Sequence, residues 1–398
     1  MKQSSWRPFF VVSLALCIGT VGTALSSPLY PIYQHVWQLL PSDITYIFVA
    51  YMFGCLTTLL FLGRISNNLG FIRTLQIGLL FAILGLTASV FAQNAYILGF
   101  GRFIIGIASG LISTSAMLGL IYTIPDSHKA NAPQLSSIIT VFGFGLGPVL
   151  GGVIAQFSKY PLITPYLPII AAACFSLFSL LSIKAPSFEK QKFTMAPHLE
   201  LPKTSNKTLF YVASFAAFSA FSTFSLFASL APSFIQEIIP WHGPLVSGAT
   251  ITGILLASLL VQISAKTLNM HRCLKLGFIS LITSSVILML CLIMHWSAIF
   301  FISVIFAGMG HGLCLMGAFS LIHKMTTLEN RAAVIATYLF IAYWGSIIPI
   351  VAVGYLSDLW GLNIGVISFC ITQSLLCCFL LRLHQQATTK VKLQHTAS

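Results

Sequence analysis

The sequence predicts an all-α integral membrane protein, with twelve transmembrane helices arranged as two six-helix halves. Three observations carry that expectation. Of 398 residues, 57% are hydrophobic and only 7% are charged, whereas a soluble domain carries about a quarter charged residues. Apolar segments of about 20 residues, the length a helix needs to cross a bilayer, recur some twelve times. The basic residues fall almost entirely on alternate connections between those segments.

In chain order the spans read 8–28, 43–63, 74–93, 95–121, 134–157, 163–183, 208–231, 244–264, 274–294, 297–320, 332–354 and 362–382. No long stretch alternates with period two, which argues against a barrel. The first span follows Lys2 and Arg7 and ends near Ala24-Leu25-Ser26-Ser27. It resembles a signal peptide, but its apolar run is too long and eleven spans follow, so a retained helix is expected.

The charges give the topology. Lys2 and Arg7 precede the first span, and Arg382, Lys390 and Lys392 lie at the end of the chain. The even-numbered connections hold Arg64, Arg73, Lys129, Lys184, Lys190, Lys192, Lys203, Lys207, Lys266, Arg272, Lys275, Lys324 and Arg331. Of the 20 Lys and Arg, only Lys159 and Arg102 lie elsewhere. The positive-inside rule then puts both termini in the cytoplasm and requires an even number of helices. The formal net charge of +13 is therefore a topology signal, and no nucleic-acid partner is expected.

The polar connection 184–207 divides the chain. The expected organisation is an amino-terminal bundle 1–183, a cytoplasmic linker 184–207, a carboxy-terminal bundle 208–382 and a cytoplasmic tail 383–398. The halves echo one another. Pro31 and Pro232 are 201 residues apart, as are Pro148 and Pro349, which fits parallel repeats of one six-helix unit.

Three strings stand out. In the fifth span, Gly143-Phe-Gly-Leu-Gly147-Pro148-Val-Leu-Gly151-Gly152 places Gly143, Gly147 and Gly151 on one helix face. Such a face lets a neighbouring backbone approach closely, and Pro148 removes a backbone donor. After the second span comes Gly63-Arg64-Ile-Ser-Asn67-Asn68-Leu-Gly70-Phe-Ile-Arg73, whose glycines suit a tight turn. In the fourth, Arg102 precedes Gly106 and Gly110 by four and eight residues. Arg102 sits about 10 Å deep by helical rise. A charge there usually faces a bundle interior or a wet cavity, and the glycines on the same face favour a cavity. A snorkelling arginine is the bland alternative.

These strings resemble motifs C, A and B of the major facilitator superfamily, in its drug:proton antiporter branch with twelve helices. The resemblance extends to Pro28-Leu-Tyr-Pro31, to Ala231-Pro232-Ser-Phe-Ile-Gln-Glu237, and to Gly354-Tyr-Leu-Ser-Asp358-Leu-Trp-Gly361. It implies that motif C holds the fifth helix against the other half. It also implies that motif A (Gly63, Asn67, Gly70, Arg73) helps lock an outward-facing state. Here Asn67 stands where the family has Asp, so a weaker lock is expected.

No carboxylate falls in mid-membrane. Asp43 and Glu237 lie near the periplasmic face, and the first helix carries no acid. His311, about fourteen residues into the tenth span, is the titratable group near mid-bilayer. It reads either as a hydrogen-bonded neutral imidazole between helices or as a proton or substrate site. Candidate walls of the pathway are Thr20, Thr23, Ser27, Phe215, Ser219, Ser222, Ser225, Tyr338, Tyr343 and Trp344. That lining would suit amphipathic or cationic compounds. With 32 Phe in the chain, any single Phe is better read as packing or lipid-facing.

The expectation is a secondary active transporter of a bacterial inner membrane, exporting small amphipathic or drug-like compounds by alternating access in exchange for protons. Its partners would be a small-molecule substrate, protons and membrane lipids, and it would act as a monomer. Import or facilitated movement of a small metabolite stays open, as does a membrane receptor or scaffold without transport. Cysteines show no metal spacing, no phosphate-binding Gly-Lys-Ser/Thr string is present, and the clustered His, Asp or Glu at a membrane edge that an intramembrane enzyme would need are not seen. No enzyme activity, cofactor or metal is expected.

Overall fold

The computed structural model describes residues 6–63, 65–183, 197, 199–203, 207–238, 240–241, 243–327 and 329–396. The side chains of Arg64, Asn67 and Glu237, and most of the expected linker 184–207, lie outside the described residues. Among those described, every regular element is helical.

Twelve principal helices follow in order: α1 (Arg7–Ala24), α2 (Pro41–Thr57), α3 (Phe71–Val90), α4 (Ala95–Thr123), α5 (Ala132–Phe157), α6 (Tyr166–Leu180), α7 (Lys207–Ser229), α8 (Pro244–Ser264), α9 (Met270–Met294), α10 (Ser297–Lys324), α11 (Arg331–Trp360) and α12 (Leu362–Thr396). Eleven of the segments are long and apolar enough to cross a membrane; α6 is apolar but has only 15 residues. The chain is thus a multi-pass membrane protein.

Local sequence sets the helix ends. Asn94 caps α4 by accepting from Ile97 N at 3.0 Å, and Asn269 caps α9 by accepting from His271 N at 3.1 Å. Asp43 reaches back to Leu40 N at 2.9 Å at the start of α2. Pro28 and Pro31 do not stop the first span at residue 28. The chain turns through Ser27–Leu29 and resumes as a helix over Tyr30–Trp37, because each proline sits in a first turn, where its missing N–H is not needed. At the other end α12 continues through the region expected to be a tail. The stretch after Arg382 has neither Gly nor Pro and keeps one face buried, with His384 and Ala387 covered.

The chain divides into two compact units. Unit 1 holds residues 1–197 and 242–252; unit 2 holds 198–241 and 253–398. The division falls inside α8, so its first turns belong with the first six helices. In unit 1, α1 packs on α4, α5 and α6, while α4 packs on α2 and α3. In unit 2, α7 packs likewise on α10, α11 and α12, and α9 on α10 and α12. Glycines at equivalent places close the second-to-fourth helix seam in each unit. Gly106 and Gly110 meet Tyr51 and Gly54 of α2 and Thr58 just after it, while Gly308 and Gly312 meet Ile254, Ala257 and Ser258 of α8.

Candidate functional site

In unit 1 the glycine face of α5 lies on α1. A methyl group at Gly143, Gly147 or Gly151 would overlap Thr20, the Val21 carbonyl or the Leu25 carbonyl respectively. The three residues are one helical turn apart and so meet one neighbour. Gly152, about 100° further round, faces the Pro244 carbonyl, and Gly248 faces that of Pro148. Thr252 donates to the Gly145 carbonyl at 2.6 Å. Motif C thus turns Gly143, Gly147 and Gly151 onto α1, and Gly145, Pro148 and Gly152 onto the first turns of α8.

Arg102 is 1% exposed. Its Nη1 donates to the Thr23 carbonyl, and its guanidinium carbon lies 4.8 Å from the centre of the Tyr51 ring. The Tyr51 hydroxyl meets Ser109 Oγ at 3.2 Å. Arg102 Nε has no partner among the described residues, and no carboxylate pairs with the guanidinium there. A snorkelling position is excluded by this burial. The glycines below Arg102 do not line a cavity, however. Gly106 and Gly110 are spent on the seam with α2, where Cys55 Sγ reaches the Gly106 carbonyl at 3.6 Å and Thr58 the Ile107 carbonyl at 3.1 Å. Arg102 thus joins α1, α2 and α4 by a carbonyl, an aromatic face and its own backbone. Nearby, Tyr33 and Tyr166, both buried, meet hydroxyl to hydroxyl at 3.1 Å.

Of the other candidates on α1, Thr23 donates its hydroxyl to the Thr20 carbonyl at 2.6 Å. Thr20 bonds back to Leu16 and Cys17, and Ser27 is buried in the turn that follows. The Thr20 and Thr23 hydroxyls serve the helix itself.

The motif A segment forms a short helix, Ile65–Leu69, bracketed by two glycines. Gly63 ends a π-helical turn over Thr58–Leu62, and Gly70 has φ of 78°, which a side chain would strain. Arg73 is exposed.

In unit 2, His311 is 8% exposed. Its Nδ1 lies 3.0 Å from Ser258 Oγ, which also accepts from Gln262 Nε2 at 3.1 Å. Phe221 and Phe224 flank the imidazole at 6.3 and 5.6 Å between ring centres. Tyr343 lies 5.7 Å from Phe221. This aromatic box with one imidazole at its wall is the chemistry-bearing group of unit 2. Trp344, one residue on, turns away to Phe340, since neighbours on a helix point about 100° apart. Tyr338 lies in the hydrophobic core, with Phe215 packed against that core. Ser219 and Ser222 are fully buried on α7, and the Ser222 hydroxyl has no partner among the described residues. Ser225 donates to Ser346 at 2.8 Å across α7 and α11.

Sequence reasoning passed over Tyr51, Ser258, Gln262 and Gln373. Gln373 donates to the Ser219 carbonyl at 2.9 Å and lies 3.1 Å from the Thr223 hydroxyl, tying α12 to α7. A lone amide inside an apolar span was the available signal, because such a group needs a partner in lipid.

The family model described as Major Facilitator Superfamily matches residues 12–350. The synaptic vesicular amine transporter of Bos taurus is 25% identical over 190 residues, covering 43% of this chain and 35% of that protein. Multidrug resistance protein 2 of Bacillus subtilis is 28% identical over 188 residues, covering 45% of this chain and 46% of that protein. The matched stretch spans less than half the length of these curated relatives. A POT family transporter solved with 5-aminolevulinic acid superposes with a TM-score of 0.79 at 11% identity, covering 98% of this chain and 99% of that one. A bacterial homologue of the human lysosomal transporter Spinster, inward-facing and unoccupied, gives 0.76 at 11%, with 97% and 98% covered. At such identities these structures speak for the fold, while the sequence match over residues 12–350 gives the lineage: the chain belongs to the Major Facilitator Superfamily of membrane transporters.

Proposed function

We propose that the protein is a secondary active transporter that exports small amphipathic, drug-like compounds by alternating access, in exchange for protons. It would work as a monomer in a bacterial inner membrane, with both termini and the 184–207 linker cytoplasmic, as the placement of Lys and Arg indicates. The observation that carries the reading is the α1–α5 seam, where three glycines in the antiporter-like string bring two backbones together. The named drug-resistance relatives, Multidrug resistance protein 2 and the quinolone resistance protein NorA of Staphylococcus aureus, support the same direction. The box of Phe221, Phe224 and Tyr343 around His311 suits the aromatic or cationic part of such a substrate.

Proton exchange needs a group that titrates in the physiological range, and imidazole does. The test is transport of a fluorescent amphipathic cation by full-length protein in liposomes, with and without an imposed pH gradient. Gradient-stimulated movement is expected in the wild type. His311→Gln should lose the stimulation while retaining gradient-free exchange. An unchanged gradient response in that variant removes His311 from the coupling and directs attention to Asp43 and Glu237.

A second reading, import or facilitation of a small metabolite, is favoured by Arg102. A buried cation without a carboxylate partner suits an anionic substrate group. Uptake of small carboxylates in the same liposomes, without response to the cationic probe, would select it.

A further inference from the structure

At the end of unit 1 where α2 and α4 begin, a cavity of about 790 Å³ opens between these helices and the end of the short helix Tyr30–Trp37. On the expected topology this is the periplasmic end. Three aromatic side chains line it, Trp37, Tyr46 and Tyr96, together with Asp43, Gln93 and Asn94. Among the described residues no Lys, Arg or His lines it. The fold holds one wall in place. The Trp37 ring packs on Tyr33 at 4.7 Å between centres, and the buried Tyr33 meets the Tyr166 hydroxyl at 3.1 Å. Tyr96, by contrast, is 88% exposed, so its ring has open surface.

The amino ends of α2 and α4 open here, and their partial positive charge alone would favour an anion. Each end is already answered by a side chain. Asp43 Oδ2 accepts from Leu40 N at 2.9 Å, and Asn94 Oδ1 accepts from Ile97 N at 3.0 Å. That bond uses one of about four acceptor positions on the Asp43 carboxylate. No basic side chain pairs with Asp43 among the described residues, whereas Asp126 is met by Lys129 at 2.7 Å. Asp43 is the one full charge among the described lining residues. Aromatic side chains at a membrane interface are ordinary; a carboxylate without a base among three of them is not. Aromatic faces attract cations through the ring quadrupole. The acid adds direct attraction, and it repels an anion.

We propose that this cavity binds organic cations, holding a quaternary ammonium head against Trp37, Tyr46 and Tyr96 with Asp43 as its counter-charge. Such a head is weakly hydrated and suits an aromatic wall. A bare divalent ion would meet one carboxylate, where a calcium site needs six to eight oxygen ligands. The cavity shares no residue with the aromatic box at His311, and its chemistry does not depend on the direction or coupling of transport.

Isothermal titration calorimetry of the full-length protein in a non-ionic detergent, with benzyltrimethylammonium as the probe, tests the site. The wild type is expected to bind the probe about tenfold better than benzoate, an anion of similar size. Asp43→Asn keeps an acceptor for Leu40 N and should weaken binding about fivefold, while Asp43→Glu should keep most of it. Tyr96→Leu changes a ring that is exposed, so the fold should stand, and binding should weaken about threefold. No binding by the wild type, equal binding of benzoate, or wild-type affinity in either Asp43→Asn or Tyr96→Leu overturns the proposal. If Asp43→Asn does not fold, Tyr96→Leu decides alone. Binding lost in Phe224→Leu but kept in the two cavity variants would seat the probe at the His311 box. That result overturns the cavity site and leaves the exporter reading standing, since transport is read separately in liposomes.

Discussion

Units 1 and 2 share a pattern of helix pairing but differ where chemistry enters. Both close the second helix on the fourth through two glycines a turn apart, Gly106 and Gly110 in one and Gly308 and Gly312 in the other. Four residues before the first glycine of each pair stands Arg102 in unit 1 and Val304, an ordinary buried valine, in unit 2. Just before the second glycine stands Ser109 in unit 1 and His311 in unit 2, each bonded to the second helix of its own unit. The first-to-fifth seams differ more. Gly143, Gly147 and Gly151 have Trp344, Ile348 and Ala352 as their counterparts 201 residues later. Between α7 and α11 the close backbone approach is made by Gly345 on Phe218, helped by the Ser225–Ser346 bond. One repeat therefore holds a tight backbone seam and a fixed cation. The other makes its close backbone approach at one glycine, Gly345, and carries aromatic rings beside an imidazole.

Breaking the seam should have the largest effect. In Gly147→Val the new side chain meets the Val21 carbonyl at 2.5 Å from its first carbon, and backbone cannot swing aside. Overpacking of this kind costs about 1–3 kcal/mol, and the upper end is expected. The matched change in unit 2, Ile348→Val, trims a side chain that is 55% exposed and should be nearly silent. Thermal unfolding in detergent compares the two, and equal midpoints would mean the repeats are no different at this seam.

Arg102→Val gives unit 1 the residue that unit 2 has. It leaves the Thr23 carbonyl without its donor, a loss of about 1–3 kcal/mol, so folded, monodisperse protein should still be recovered. Transport should be abolished. Full transport in that variant would reduce Arg102 to a structural tie between α1, α2 and α4.

The smallest effect is expected at Ser225→Ala, which removes one hydrogen bond between α7 and α11. The loss should be about 0.5–1.5 kcal/mol in unfolding, with transport kept. A shift as large as that of Gly147→Val would show that the seam of unit 2 depends on this bond.

Much of the fold was legible because lipid imposes one rule on every span: about 20 apolar residues in a helix that satisfies its own backbone. The alternating Lys and Arg gave the expected topology for the same reason of cost. Less legible were the ends of the elements. Nothing in a hydropathy run indicates that α1 leads through Ser27–Leu29 into a further helix to Trp37, or that α12 runs on to Thr396. Both depend on what the continuing turns pack against.

By itself, the sequence determined the helical class, the repeat, the glycine strings, and the rarity of charge that singles out Arg102 and His311. Only the tertiary structure decided what each meets. It turned the α5 glycines onto α1, gave Gly106 and Gly110 to α2, and sent Tyr343 to the His311 box while Trp344 went to Phe340. Composition and spacing report which residues share a helix face. The neighbour that covers the face is set by the rotation and register of whole helices, and these follow from the packing of many residues at once.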